Sequence, residues 1–165
     1  MKHNYSIDLY IEKTLSGAKL VIVRLLGGVT YWPYGLERLA ALAQGGAFQL
    51  AVMPGDDNPD RQLLDYSTLS RSDTAQLWSY LCEGGLENAK RFLEAADAHL
   101  SGGAMPLPAR PLQKAGIHRQ ADRSEDSVQP AAAIIFFRAL FESGDLLAVE
   151  QLFDELEATG MAGVV

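Results

Sequence analysis

Lys19-Leu20-Val21-Ile22-Val23-Arg24-Leu25-Leu26-Gly27-Gly28 is the stretch on which the fold turns. Leu20 to Val23 offers no polar position to solvent and is rich in β-branched residues, so it predicts a strand buried on both faces. The glycine pair ends it. Working outward, Ser6 to Leu15 places Ile7, Tyr10, Ile11 and Leu15 at helical spacing, with Ser6 positioned as an N-cap and Gly17 just past the end. On the other side, Leu36, Leu39, Ala40 and Ala43 form one face of a helix closed by Gly45-Gly46. Pro33 is placed to begin that helix. Phe48 to Met53 is a second apolar strand, stopped by Pro54-Gly55. Strand, helix and strand with short connections imply parallel pairing through a crossover.

Further along, Leu77, Trp78 and Leu81, then Leu86, Ala89, Phe92, Leu93 and Ala96, mark a helical pair divided by Gly84-Gly85. Residues 101–130 change composition, with Gly102-Gly103, prolines at 106, 108 and 111, and a charged stretch from Arg119 to Asp126, as a loop or linker would. Ala131 to Phe137 returns as a buried strand, Val149, Leu152, Phe153 and Leu156 form a helix face, and Val164-Val165 looks like the start of another strand cut short. The expected fold is α/β. A parallel core sheet of the flavodoxin-like, doubly wound kind contains 20–25, 48–53 and 132–137, with helices on both faces and the helical pair after the second strand. The expected divisions are 1–100, a loop or linker at 101–130, and a strand-helix continuation of the sheet at 131–165.

A chain of 165 residues removes roughly 70% of its unfolded surface from water. With 48% hydrophobic and 21% charged residues it is neither disordered nor fibrous. Fourteen basic against 21 acidic residues leave a net charge of −7, which disfavours a phosphate backbone as partner. The single cysteine, the missing leader pattern and apolar runs far shorter than about 18 residues argue for a cytoplasmic chain without a membrane span.

Ligands of open α/β sheets bind outside the carboxyl ends of the strands. Arg24, Tyr31, Trp32, Asp56 and Arg138 each end or follow a predicted strand, so they are the candidate substrate-binding residues. Arg24 could instead pair with a carboxylate such as Glu37. Tyr31-Trp32-Pro33-Tyr34-Gly35 could stack on a planar ligand or pack in the core. Gly27-Gly28 sits where a phosphate turn would lie, but neither dinucleotide nor P-loop spacing accompanies it. In the acidic loop Pro54 to Asp60, the twelfth position from Asp56 is Ser67 and not a glutamate, so the EF-hand pattern fails and Asx turns and N-caps explain the carboxylates. His3, His99, His118 and Cys82 lack zinc spacing, and Asp154-Glu155 reads as a solvated helix face. No catalytic residue and no metal ligand is assigned.

Seven ordered segments carry a family resemblance: Val21 to Gly28, Tyr31 to Gly35, Leu50 to Asp57, Ser67 to Leu69, Leu77 to Leu81, Glu83 to Ala89 and Ile134 to Leu140. Together they resemble the N-terminal part of the large, tetrapyrrole-binding subunit of aerobic cobaltochelatase, the CobN type, related to the magnesium chelatase large subunit. The resemblance spares Gln120 to Gln129, and Phe137 stands where the family commonly shows tyrosine. It implies a fragment of a cytoplasmic enzyme of cobalamin biosynthesis that inserts cobalt into hydrogenobyrinic acid a,c-diamide. Its implied partners are the rest of the large subunit, the corrin and ATP-hydrolysing subunits working with Mg. The isolated chain is expected to hold no cofactor and to be inactive alone. The alternatives are a flavodoxin-like small-molecule module and a structural interaction domain without its own ligand.

Overall fold

In a computed structural model that describes residues 3–122 and 128–165, β1 (Leu20–Leu25) and β2 (Gln49–Pro54) pair in parallel, with Leu20 opposite Gln49 and Leu25 opposite Pro54. The described residues separate into two compact units. One is drawn from Met1–Cys82 and Ala89–Ala109, the other from Glu83–Asn88 and Arg110–Val165.

The first unit explains why β1 and β2 are apolar except at Arg24 and Gln49, both exposed. Side chains alternate across a strand, so Leu50 and Val52 enter one cluster while Ala51 and Met53 enter another. The first cluster is built from α1 (Asn4–Tyr10), which contributes Ile7, and from α2 (Pro33–Gln44), which contributes Leu36, Leu39, Ala40 and Ala43. Leu63 joins from the single turn α3 (Arg61–Leu64). Leu77 and Tyr80 of α4 (Arg71–Glu83) and Ala95 of α5 (Gly85–Ser101) cover the opposite face. Pro33 occupies the first turn of α2, as its fixed φ favours. The first helix departs from expectation at its start: His3, not Ser6, is the N-cap, and Ile11–Leu15 continue it as a π-helix.

Among the described residues, only one edge of β2 meets a strand. At its other edge Ser67 Oγ accepts from the N–H of Val52 and Thr68 Oγ1 from that of Leu50, each at 2.8 Å, and the backbone N–H of Thr68 donates to Leu50 O at 2.8 Å. Two hydroxyls thus finish the strand where a third strand would otherwise pair.

In the second unit β3 (Ala131–Ala133) runs parallel to β4 (Ala162–Val164), which also meets Gln120 in an antiparallel bridge. Between them lie α6 (Arg138–Ser143) and α7 (Leu147–Ala158). Val149 and Phe153 of α7 pack with Val165, Ile134 and Phe136. Adding a Cβ at Gly163 would bring it to 2.8 Å from the Phe153 ring, so only glycine lets the helix lie this close.

The α/β class, the parallel pairing, the flanking helices and the helical pair agree with expectation. The single three-stranded sheet does not. The third strand is shorter than 132–137 and pairs with β4 in a sheet of its own. The choice of partner is a long-range matter that an apolar run does not encode. Segment 102–119 forms no helix or strand but is held by side chains, with Tyr80 Oη donating to Leu107 O at 2.8 Å in the first unit. In the second, Asn88 Nδ2 donates to the carbonyls of Gly84 and Arg110 at 2.7 and 2.8 Å, and Asn88 Oδ1 accepts from the Arg110 N–H at 2.8 Å. The expected charged loop from Arg119 to Asp126 falls in part on residues 123–127, outside the described residues.

Candidate functional site

At the carboxyl end of β1 the chain turns through Gly27 and Gly28, whose φ values of +94° and +72° suit glycine alone. The exposed Tyr31 ring lies over Gly27, at 3.4 Å from where a Cβ would sit. A 3₁₀ turn, Val29–Tyr31, leads to Trp32, which packs against the first core cluster. The indole rests on the first turn of α2 at Gly35: a Cβ there would lie 2.1 Å from Trp32 Cε2. Its Nε1 is buried without a hydrogen-bond partner. Within the aromatic cluster, Trp32 therefore packs while Tyr31 remains 72% exposed.

The carboxyl end of β2 is built from carboxylates used as backbone acceptors. Asp56 accepts from the N–H of Asn58 at 3.2 Å and from its Nδ2 at 3.3 Å, an Asx turn. The Asp56 carbonyl receives Trp78 Nε1 at 3.0 Å. Asp60 caps α3, with Oδ1 accepting from Gln62 and Leu63. The two loops touch at Gly55, where a Cβ would be 2.7 Å from the Leu26 nitrogen.

Arg24, next to last in β1 and opposite Met53, is exposed. Among the described residues it makes no salt bridge, and the alternative pairing with Glu37 is not formed. A separate charge group on α1 and α2 is satisfied internally. Asp8 of α1 accepts from Tyr34 Oη at 2.7 Å and from Arg38 Nε at 3.0 Å. The Tyr34 hydrogen bond, aided by Arg38, holds the Asp8 carboxyl below its ordinary range, and the same bond raises the Tyr34 phenol.

Arg24, Tyr31, Trp32 and Asp56 thus lie on the two loops and strand ends at one edge of the first sheet. Arg138 follows β3 and belongs to the second unit, so the five do not end strands of one sheet. It sits at the start of α6, bonded to Glu142 Oε1 at 2.8 Å and 3.8 Å from Glu83 Oε2, with Nε buried and unpartnered. Asp154, expected on a solvated face, pairs with Arg119 at 2.7 Å. The guanidinium of Arg119 lies 4.2 Å over the Phe153 ring.

Each unit carries a concavity. One of about 570 Å³ opens at the amino end of the first sheet beside Lys19, Gln49, Asp73 and His99. The other, about 520 Å³, lies in the second unit beside Ile117, His118, Ile135, Arg138 and Phe141. Neither is lined by Arg24, Tyr31, Trp32 or Asp56. Among the described residues, no group of three His, Cys, Asp or Glu side chains converges, and no helix is long and apolar enough to cross a membrane.

Three positioning residues escaped the sequence reading: Ser67 and Thr68 at the β2 edge, and Asn88 between Gly84 and Arg110. Gly84 apart, which is four residues from Asn88, their partners lie 15 to 22 residues away, beyond any local spacing rule. The one signal was their place in the resembling segments.

No family model matches the chain. It is similar to the aerobic cobaltochelatase subunit CobN of Sinorhizobium sp., 42% identical over 179 aligned positions that cover 98% of this chain and 14% of that protein. The Pseudomonas aeruginosa protein of the same name is 32% identical over 173 positions, with the same two coverages. A solved structure, the catalytic subunit of cobaltochelatase from Mycobacterium tuberculosis, superposes with a TM-score of 0.74 over 95% of this chain and 13% of its own, at 23% identity. The last of these shares the fold. Nearly the whole chain thus corresponds to a segment of CobN-type cobaltochelatase subunits, about a seventh of their length.

Proposed function

We propose that this chain is a substrate-enclosing segment of the corrin-binding large subunit of an ATP-dependent cobaltochelatase of the cytoplasm. The observation that carries the reading is its similarity to CobN over 98% of its length. On this reading cobalt is the substrate ion, hydrogenobyrinic acid a,c-diamide is its acceptor, and ATP is hydrolysed with Mg on partner subunits. Those partners and the remainder of the large subunit supply the catalytic groups.

The chain's own contribution is recognition. Arg24, exposed and without a salt bridge among the described residues, offers a fork of donors to the carboxylates of the corrin periphery. Tyr31, held over Gly27, presents an exposed ring for stacking on the macrocycle. Trp32 and Asp56 set the shape of the two loops, and Asp56 keeps lone pairs for a corrin amide. Arg138, on its own unit, is a further candidate contact for a corrin carboxylate.

The test is Arg24→Ala in an intact large subunit carrying this segment, titrated with corrin and followed by absorbance. Loss of a charge-assisted hydrogen bond, about 1.5–3 kcal/mol, weakens binding by about 10-fold to 150-fold. Unchanged affinity would remove Arg24 from the site and refute this assignment.

A further inference from the structure

The second unit holds a concavity of about 520 Å³, within the roughly 300–1,000 Å³ of small-molecule sites. Its walls are mostly apolar, with Ile134 and Phe136 following β3, Phe141 on α6 and Ile117 from the segment before β3. Among the described residues that line it, the ionisable side chains are Lys114, His118 and Arg138, all basic in a chain whose net charge is −7. The carboxylates nearby stand outside the lining. Glu142 Oε1 lies 2.8 Å from Arg138 Nη1, Glu83 Oε2 lies 3.8 Å from its Nη2, and Glu150 Oε1 lies 2.9 Å from His118 Nε2. They steady the guanidinium and the imidazole, whose ring also packs at a steep angle to Phe136 and Phe141, at centroid distances of 6.4 and 5.6 Å. The segment carrying Lys114 is tied to Val165, just past β4, by the N–H groups of His118 and Arg119, which donate to Val165 O at 2.6 and 3.0 Å. Two donors are left over. Lys114, exposed, makes no salt bridge among the described residues, and Arg138 Nε is buried without a hydrogen-bond partner.

We infer that this concavity binds a small apolar molecule carrying one carboxylate. The apolar walls take the body of the ligand, and Lys114 and Arg138 meet its carboxylate through charge-assisted hydrogen bonds. A neutral apolar molecule would leave the bases unused, and a cation would meet like charges. The carboxylate has two possible sources with the same chemistry, a free apolar acid and an acid arm of the corrin. The inference concerns the second unit and does not depend on corrin contact by Arg24, so failure of that reading leaves it standing.

The probes are 2-naphthoate and its neutral counterpart 2-naphthamide, titrated by calorimetry against the chain alone and against a Sinorhizobium CobN in which the matched segment is replaced by this chain. Naphthoate binds both proteins, about tenfold or more tightly than naphthamide. Lys114→Glu, at an exposed position, weakens naphthoate by about tenfold or more and leaves naphthamide within about twofold. Lys13→Glu, the same change of charge at an exposed position of the first unit, alters neither. Phe141→Ala weakens both probes, because it removes apolar wall that both bodies touch. Equal affinity for the two probes overturns the inference, and so does an equal loss in the two charge variants, which would mean attraction by net charge alone. Binding to the chain alone that vanishes in a folded chimera also overturns it, since another part of the polypeptide would then fill the concavity. A corrin that displaces naphthoate assigns the carboxylate to a corrin arm, and one that leaves it bound assigns a free acid; either result upholds the concavity as the acid's site.

Discussion

Replacing Ser67 by alanine tests whether two hydroxyls stand in for a missing strand. Val52 is 0% exposed, and its N–H points away from β1 to Ser67 Oγ at 2.8 Å, while the hydroxyl in turn lies 3.3 Å from Val52 O. In Ser67→Ala the amide keeps its burial and loses its acceptor. An unsatisfied buried donor costs about 1–3 kcal/mol, and the weak bond to the carbonyl adds little. Thr68→Val, nearly isosteric, strips the acceptor from the Leu50 N–H, also buried, and falls in the same range of about 1–3 kcal/mol. Ser16→Ala, at an exposed helix end, changes stability by no more than about 0.5 kcal/mol. Urea denaturation of the three variants against the parent reads these differences from the midpoints at constant slope. A Ser67→Ala loss below about 0.5 kcal/mol would mean that water or a relaxed loop reaches the Val52 amide. The hydroxyl edge would then play no part in holding β2, the strand that delivers the Pro54–Asp60 loop.

Gly35→Ala drives a methyl to 2.1 Å from Trp32, displaces the indole and destabilises the chain by about 1–3 kcal/mol, with a shifted tryptophan emission; unchanged emission and midpoint would contradict the packing. Asp8 titrates below 3.8 in the folded state, so the native form binds fewer protons than the unfolded one. Its stabilising effect is present above pH 3.8 and fades as pH falls through the lowered value; denaturation curves of Asp8→Asn should lack this part of the acid dependence, and parallel curves for both proteins would refute it. The raised phenol of Tyr34 works in the opposite sense, its contribution being present below pH 10.0 and lost as pH climbs through the raised value. Incubated alone with corrin, cobalt and ATP, the chain yields neither metallated product nor phosphate above the protein-free rate, and turnover of either kind would show that catalytic groups in it were overlooked.

Much of the first unit was legible because its physics is local. Leu20 to Val23 and Leu50 to Met53 are apolar at every position since helices cover both faces, and Leu36, Leu39, Ala40 and Ala43 are spaced for the single face that α2 buries. Asx and capping roles for Asp56 and Asp60 were readable from the same loop. The second unit was harder. Ala131 to Phe137 has the composition of a strand buried on both faces, yet only Ala131–Ala133 form one, and Ile135 and Phe137 face outward. The sequence pattern states what the surface prefers, not which element meets it. The short helices α3 and α6 went unread because four and six residues are too few for a helical period to repeat. At the candidate site, the packing of Trp32 against Gly35 has no spacing signature beyond their nearness, and whether Arg24 pairs with Glu37 is a fact of three dimensions.

The most direct measurement of the central claim is cobalt insertion by a Sinorhizobium CobN whose matched segment has been replaced by this chain, assayed with its ATP-hydrolysing partner subunits and corrin. The account predicts ATP-dependent formation of the cobalt corrin above the level of a subunit lacking the segment. A folded chimera that binds its partner subunits yet inserts no cobalt, beside an active parent, would contradict it.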